Sequence, residues 1–257
     1  MAELHDLARM TSVEFKAALP GIGLAILPVG AIEQHGPNLA LSTDIATASG
    51  LARRLTERLH PRAVLLPPIP YGLSYHHTGF AGTITFRPET FIAIGVDIAR
   101  SLERDGIRRL LFVNGHNGNM AVLNVLTQKL RYEVGIEAAT SFYFAQAADR
   151  MKAHAKTERW GHACEIESSV LMALAPDLVR KDAFEPGRMI ETGLAHGVPN
   201  APFAVQMAMP FHEQTENGVF GDARLADPAI GEDIVETALD RTIAFAESWL
   251  ERPLADG

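Results

Sequence analysis

The segment Pro28-Val-Gly-Ala-Ile-Glu33-Gln-His35-Gly-Pro-Asn-Leu-Ala-Leu-Ser-Thr-Asp44 constrains this chain more than any other. It follows the apolar run Leu24-Ala-Ile-Leu27, which reads as a short buried strand. Glu33 and His35 are two residues apart, and on extended backbone such a pair projects to one side. Asp44 comes nine residues after His35, where Thr43-Asp44 is expected to cap a helix. Two oxygen donors and one nitrogen donor within twelve residues, broken by Gly30, Gly36 and Pro37, make either half of a metal site or a polar strand-to-helix loop. The segment alone leaves both readings open.

The rest of the chain repeats the same grammar. Thr11 or Ser12 starts a short helix that Pro20 and Gly21 close. Ile45, Ala48, Leu51, Ala52, Leu55 and Leu59 recur at helical spacing over 45–60, and 63–66 is a second buried strand stopped by Pro67, Pro68 and Pro70. A glycine-containing loop over 71–86 is long enough to suggest function. A helix over 88–103 precedes a third strand, 109–113, that runs into Asn114-Gly-His116-Asn-Gly-Asn119. An amphipathic helix over 120–133 and a strand over 137–144 follow, then a charged, irregular linker over 149–161. Gly161-His162-Ala-Cys-Glu165-Ile-Glu167 opens a helix over 168–175, and 230–250 is a long terminal helix. Residues 180–227, rich in Gly, Pro and Met, are expected to form strands and loops that close over a site.

Alternating strands and helices predict a parallel sheet covered on both faces, here as one domain over 1–257. Ligands in such sheets gather at the carboxyl ends of the strands. The polar clusters at 33–44, 74–79, 114–119 and 162–167 each follow an apolar run or open a helix, so they converge on one rim.

Charge and cysteine usage narrow the class. Lys and Arg number 23 against 31 Asp and Glu, a net charge of −8, which excludes a general nucleic-acid-binding surface. The basic residues over 104–109 are interrupted by Asp105, Gly106 and Ile107 and read as a solvated helix end. One cysteine, Cys164, precludes an internal disulfide and fits a reducing compartment. Neither a signal-peptide pattern nor a membrane-length apolar run is legible, so the expectation is a soluble, cytoplasmic protein without membrane partners.

Glu33, His35, Asp44, His116 and Glu165 supply three carboxylates and two imidazoles, the inventory of a two-metal site. Mixed oxygen and nitrogen ligation without thiolate suits Zn, Mn or Fe. Such a pair activates a bridging water and polarises a carbonyl, which makes amide hydrolysis accessible. His162 is the expected proton donor for the leaving nitrogen. His77, Gly115 and Asn117 are the expected substrate contacts, with Gly115 and Gly118 allowing backbone to approach a ligand. Glu167 is expected to orient a ligand histidine. His76 reads as packing, Cys164 as a small packed residue, and Gly21-Ile-Gly23 lacks the pattern of a dinucleotide loop.

The run from Leu27 through Glu33, His35, Gly36 and Pro37 to Thr43 and Asp44 resembles the signature of the creatininase (creatinine amidohydrolase) family. His77-Thr-Gly, Asn114-Gly-His-Asn-Gly-Asn119, His162-Ala-Cys-Glu-Ile-Glu167 and Gly218-Val-Phe-Gly-Asp222 are similar to later family elements, in the same order, over residues 20–250. The resemblance implies an α/β fold, a three-layer α/β/α sandwich around a mostly parallel sheet. It also implies two divalent metal ions per chain, cleavage of a small C–N bond, and a homo-oligomer, often a hexamer. Glu33, His35, Asp44 and His116 fall on the family's metal ligands, with Asp44 as the bridge. Creatinine amidohydrolase itself takes its last carboxylate two residues after the histidine matching His116, where this chain has Gly118. Other members use a Glu in a His-x-x-Glu element, which matches Glu165. The expected activity is hydrolysis of a small amide, cyclic amide or formamide by a metal-bridging hydroxide. The alternatives are a hydrolase or lyase of a cyclic polyol ketone or lactone, and a peptidase of a cofactor-precursor peptide.

Overall fold

In a computed structural model, which describes residues 4–193 and 207–254, five parallel strands form one sheet. In chain order the elements are β1 (His5–Asp6), α1 (Ser12–Ala18), β2 (Leu24–Val29), α2 (Thr43–Leu59), β3 (Ala63–Leu65) and α3 (Pro88–Arg104). Next come β4 (Arg109–Asn114), α4 (Met120–Lys129), β5 (Glu137–Phe142), α5 (Tyr143–Gln146), α6 (Ala148–His154), α7 (Glu165–Leu174) and α8 (Pro228–Glu251). The strand order is β1-β3-β2-β4-β5, which puts β2 and β4 side by side in the middle.

Residues alternate across the sheet, as the pleat requires. Leu24, Ile26, Leu111 and Val113 pack under α2, α7 and α8, with Leu55, Ile166 and Ile234 among their partners. Ala25, Leu27, Leu110 and Phe112 pack under α3 and α4, against Phe91, Val96, Leu123 and Leu126. Three layers result, as expected. The two central strands, β2 and β4, are buried along their whole length, as a parallel sheet covered on both faces requires.

Three departures from the sequence reading have simple causes. The stretch expected to be an irregular linker contains α6, whose one buried residue, Met151, leaves no periodic signal. Helix α7 begins at Glu165, three residues early, so both acidic residues of that motif lie in its first turn. Over 180–227 the described residues form short 3-10 turns and isolated bridges rather than strands, and 194–206 lie outside the described residues.

Candidate metal centre

The exits of β2 and β4 carry Glu33, His35 and His116 to one rim, and the first turn of α2 brings Asp44 between them. The approach depends on two glycines. A Cβ on Gly30 would sit 2.5 Å from the Ile45 nitrogen, and one on Gly115 would sit 2.0 Å from the Asp44 carbonyl oxygen. Gly115 was expected to admit a ligand; the backbone it admits is that of α2. Asp44 does not act as the expected cap, because the helix begins at Thr43 without a side-chain cap. Its carboxylate is turned to the histidines instead.

Buried asparagines stitch the rim together. Asn119 donates to the Gly30 carbonyl at 3.0 Å and accepts from Leu73 N–H at 2.9 Å. Asn114 accepts from His116 N–H at 3.1 Å and donates to its carbonyl at 2.7 Å. Asn117 lies exposed on the turn Asn117–Asn119.

Glu33, His35, Asp44 and His116 are all buried, and their side chains converge. His35 Nε2 lies 3.2 Å from Asp44 Oδ1, and His116 Nδ1 lies 3.1 Å from Asp44 Oδ2 and 3.3 Å from Glu33 Oε1. The two carboxylate oxygens of Asp44 therefore face two different imidazoles. The far nitrogen of each ring is tied to a main-chain carbonyl, His35 Nδ1 to Glu33 at 3.2 Å and His116 Nε2 to Leu73 at 3.0 Å. A carbonyl only accepts, so those nitrogens carry N–H, and the neutral rings aim lone pairs at carboxylates. A cation or a proton has to sit between them.

Two further observations fit a metal. Glu33 Oε2, His35 Nε2 and Asp44 Oδ2 are buried without a partner in hydrogen-bonding geometry, and buried polar atoms rarely stay unsatisfied. Burial lowers the affinity of His35 for a proton, yet Asp44 overrides it and holds the ring at about 9. His116 is likewise raised well above its ordinary value, against burial, by Glu33 and Asp44. Asp44 is driven below the carboxylate range by the two imidazoles, again against burial. The same carboxylates that raise the two imidazoles would favour a cation between them.

The fifth carboxylate differs from expectation. Glu165 Oε1 accepts from Lys156 N–H at 3.2 Å, Thr157 N–H at 3.1 Å and the Thr157 hydroxyl at 2.7 Å, and Oε2 accepts from Asp222 N–H at 3.0 Å. It ties two loops to α7 and takes no part in the cluster. Residues two apart on a helix lie about 200° apart around it, so only one of Glu165 and Glu167 can face the rim. That one is Glu167, which groups with His35 and His162 within 4.8 Å. Burial pushes its carboxyl up to about 7, although His35 opposes the shift. It also accepts from Ala163 N–H at 2.5 Å, and Ala163 holds φ of 51°, a costly left-handed conformation for a residue with a Cβ.

His162, the expected proton donor for the leaving nitrogen, is buried among the other histidines. Its Nε2 lies 2.8 Å from the Gln34 carbonyl and its Nδ1 3.9 Å from Glu167, because the ring is sandwiched between His35 and His77 rather than set at the mouth. Burial lowers its basicity well below the ordinary value. His77, expected to touch substrate, points Nε2 at Glu33 Oε1 at 3.2 Å. Two contributors had no signal in the sequence reading. Phe211 covers His77 and His162 at 4.1 and 4.9 Å and stacks on Phe220, so the 180–227 segment closes over the site there as anticipated. Gln34, set between two ligand candidates, reaches both His77 and His162.

The fold has known relatives. The family model described as creatinine amidohydrolase matches residues 8–246. The mycofactocin precursor peptide peptidase of Mycobacterium ulcerans is 32% identical over 97% of this chain and 94% of its own. The creatinine amidohydrolase of Pseudomonas putida is 28% identical over 93% of this chain and 95% of its own. A solved manganese creatininase superposes with a TM-score of 0.78 at 25% identity, covering 97% of this chain and 100% of that one. A parallel α/β/α sandwich with its polar loops in this order, matched by the family model over nearly the whole chain, makes the protein a creatininase-family hydrolase.

Proposed function

We propose that the protein hydrolyses an amide C–N bond with two divalent cations held by Glu33, His35, Asp44, His116 and Glu167. The observation that carries this reading is the position of Asp44, with one oxygen toward His35 and the other toward His116. Bound there, divalent cations supply Lewis acidity toward a carbonyl oxygen and acidify water. Zn or Mn suits this donor set, and a structural neighbour is a manganese creatininase.

The chain's own residues supply orientation. Asp44 offers one oxygen to each half of the site. The Glu33 and Leu73 carbonyls hold His35 and His116 with the other ring nitrogen facing inward. Phe211 and Phe220 wall the histidines from water, which strengthens every charge interaction beneath them.

A peptide bond is the second reading within the same chemistry. It is favoured by relatives named mycofactocin precursor peptide peptidase, 31–34% identical over at least 91% of their lengths. Action on a cyclic polyol ketone is the reading from another class. Among the described residues no helix is long and apolar enough to cross a membrane. A cytoplasmic homo-oligomer, a hexamer by resemblance, forms part of the proposal.

The test is to strip the protein with a chelator, reload it with Zn²⁺ or Mn²⁺, and screen cyclic amides, formamides and short peptides by product mass. Metal-dependent release of an amine, ammonia or formate, or of a shortened peptide, supports the proposal. Turnover of polyol ketones alone, or activity that survives complete metal removal, contradicts it.

A further inference from the structure

We propose that Gln34 is a positioning residue that fixes which nitrogen carries the proton in His77 and His162, and that through His77 it holds Glu33 in place. The last step rests on reading Glu33 as a metal ligand; the proton placement does not.

The orientation of the Gln34 carboxamide follows from its neighbours. Gly36 N–H approaches Oε1 at 2.9 Å, and a main-chain N–H only donates, so the oxygen belongs there and the NH₂ on the other side. The reverse orientation would set the NH₂ against the Gly36 N–H and the amide oxygen against the Gly218 carbonyl, two like-with-like contacts. The NH₂ has two hydrogens. One meets the Gly218 carbonyl at 3.3 Å, and the other meets His77 Nδ1 at 2.9 Å.

His77 Nδ1 is therefore an acceptor, and the ring proton sits on Nε2, facing Glu33 Oε1 at 3.2 Å. His162 Nε2 lies 2.8 Å from the main-chain oxygen of the same Gln34, so it donates there. Its 3.0 Å approach to the Gln34 NH₂ adds no hydrogen bond, because both hydrogens of that group are already engaged. One residue thus sets two rings.

The assignment separates overlapping possibilities at the rim. Glu33, His77 and His162 lie close enough to hold an ion by distance alone. With protons on both Nε2 atoms, His77 is a donor that orients the Glu33 carboxylate, in the way that groups behind a metal site commonly orient its ligands. His35 and His116 present lone pairs instead, because their far nitrogens are the ones tied to carbonyls.

The test is the ¹⁵N signature of the histidine rings, measured by NMR on metal-free protein of the wild type and of Gln34→Met, together with metal affinity. Wild type is expected to show His77 as a single Nε2–H tautomer. Gln34→Met is expected to lose that single tautomer and to bind Zn²⁺ about ten- to a hundredfold more weakly. A wild-type His77 protonated on Nδ1 overturns the proposal without any variant, and so does a signature unchanged in Gln34→Met. A changed tautomer with unchanged affinity overturns the link to Glu33. Wild-type protein with the expected tautomer that binds no metal contradicts the metal reading and leaves the proton placement standing.

Discussion

Asp44→Asn removes one negative charge from between two imidazoles while barely changing shape. In the metal-free protein the contacts at 3.2 and 3.1 Å keep His35 and His116 protonated in spite of burial. His35 stands at about 9 against an ordinary 6.5. At about 1.4 kcal/mol per pH unit, that separation corresponds to about 3 kcal/mol of proton-linked stability. Because the folded value is the higher one, this contribution is complete below about pH 6.5, declines as the pH rises and is lost above about pH 9. Asp44 supplies the largest share of what opposes burial. The substitution is therefore expected to cost metal-free protein about 3 kcal/mol near pH 6, a fall in Tm of about 6–12 °C for a chain this long, and little near pH 9. Calorimetry of chelator-treated wild type and variant at both pH values reads the difference. An equal loss at the two pH values, or none at the lower, would refute the claim that the Asp44 carboxylate raises the two imidazoles.

Other substitutions test separate parts of the centre. Gly118→Ala would put a Cβ 2.3 Å from His116 Nε2 and 2.4 Å from the Leu73 carbonyl, breaking the bond that aims His116. It should cost about 1–3 kcal/mol in a melt and weaken metal binding at least tenfold in a titration. Glu165→Gln should keep the full metal content, measured by elemental analysis, yet lose about 1–3 kcal/mol because an NH₂ would confront N–H donors; loss of one metal equivalent would restore Glu165 as a ligand. Cys164 is buried, and burial pushes its thiol up to about 12, so native protein should resist thiol-labelling reagents at neutral pH until it is unfolded.

Much of the fold and part of the site are legible in the sequence. Strands buried on both faces announce themselves as apolar runs, and β2, β3 and β4 are recognisable from theirs, whereas β5, with Glu137, Thr140 and Ser141, is only partly buried and carries a weaker pattern. Glu33, His35, Asp44 and His116 could be read together because each sits just past such a run or at a helix start. The failures share one cause: sequence spacing does not say what a side chain meets. Glu165 and Glu167 are equivalent in composition, and only the phase of α7 separates them. The periodicity of the helix already held that signal, since two residues apart means opposite faces. Gly115 is expected to let backbone approach a ligand, whereas the backbone it meets is that of α2, a contact between distant elements. Gln34 leaves no trace because its side chain meets His77 and Gly218 and its main-chain oxygen meets His162, all far away in sequence. Strand β1 is two residues long, too short for any pattern.

Anomalous X-ray scattering from crystals of metal-loaded protein tests the centre most directly. The account predicts two peaks flanking the Asp44 carboxylate, one beside His35 and Glu167 and one beside His116 and Glu33, with Glu165 still engaged by Thr157 and Asp222. A metal ligated by Glu165, or no peak within reach of Asp44, would contradict it.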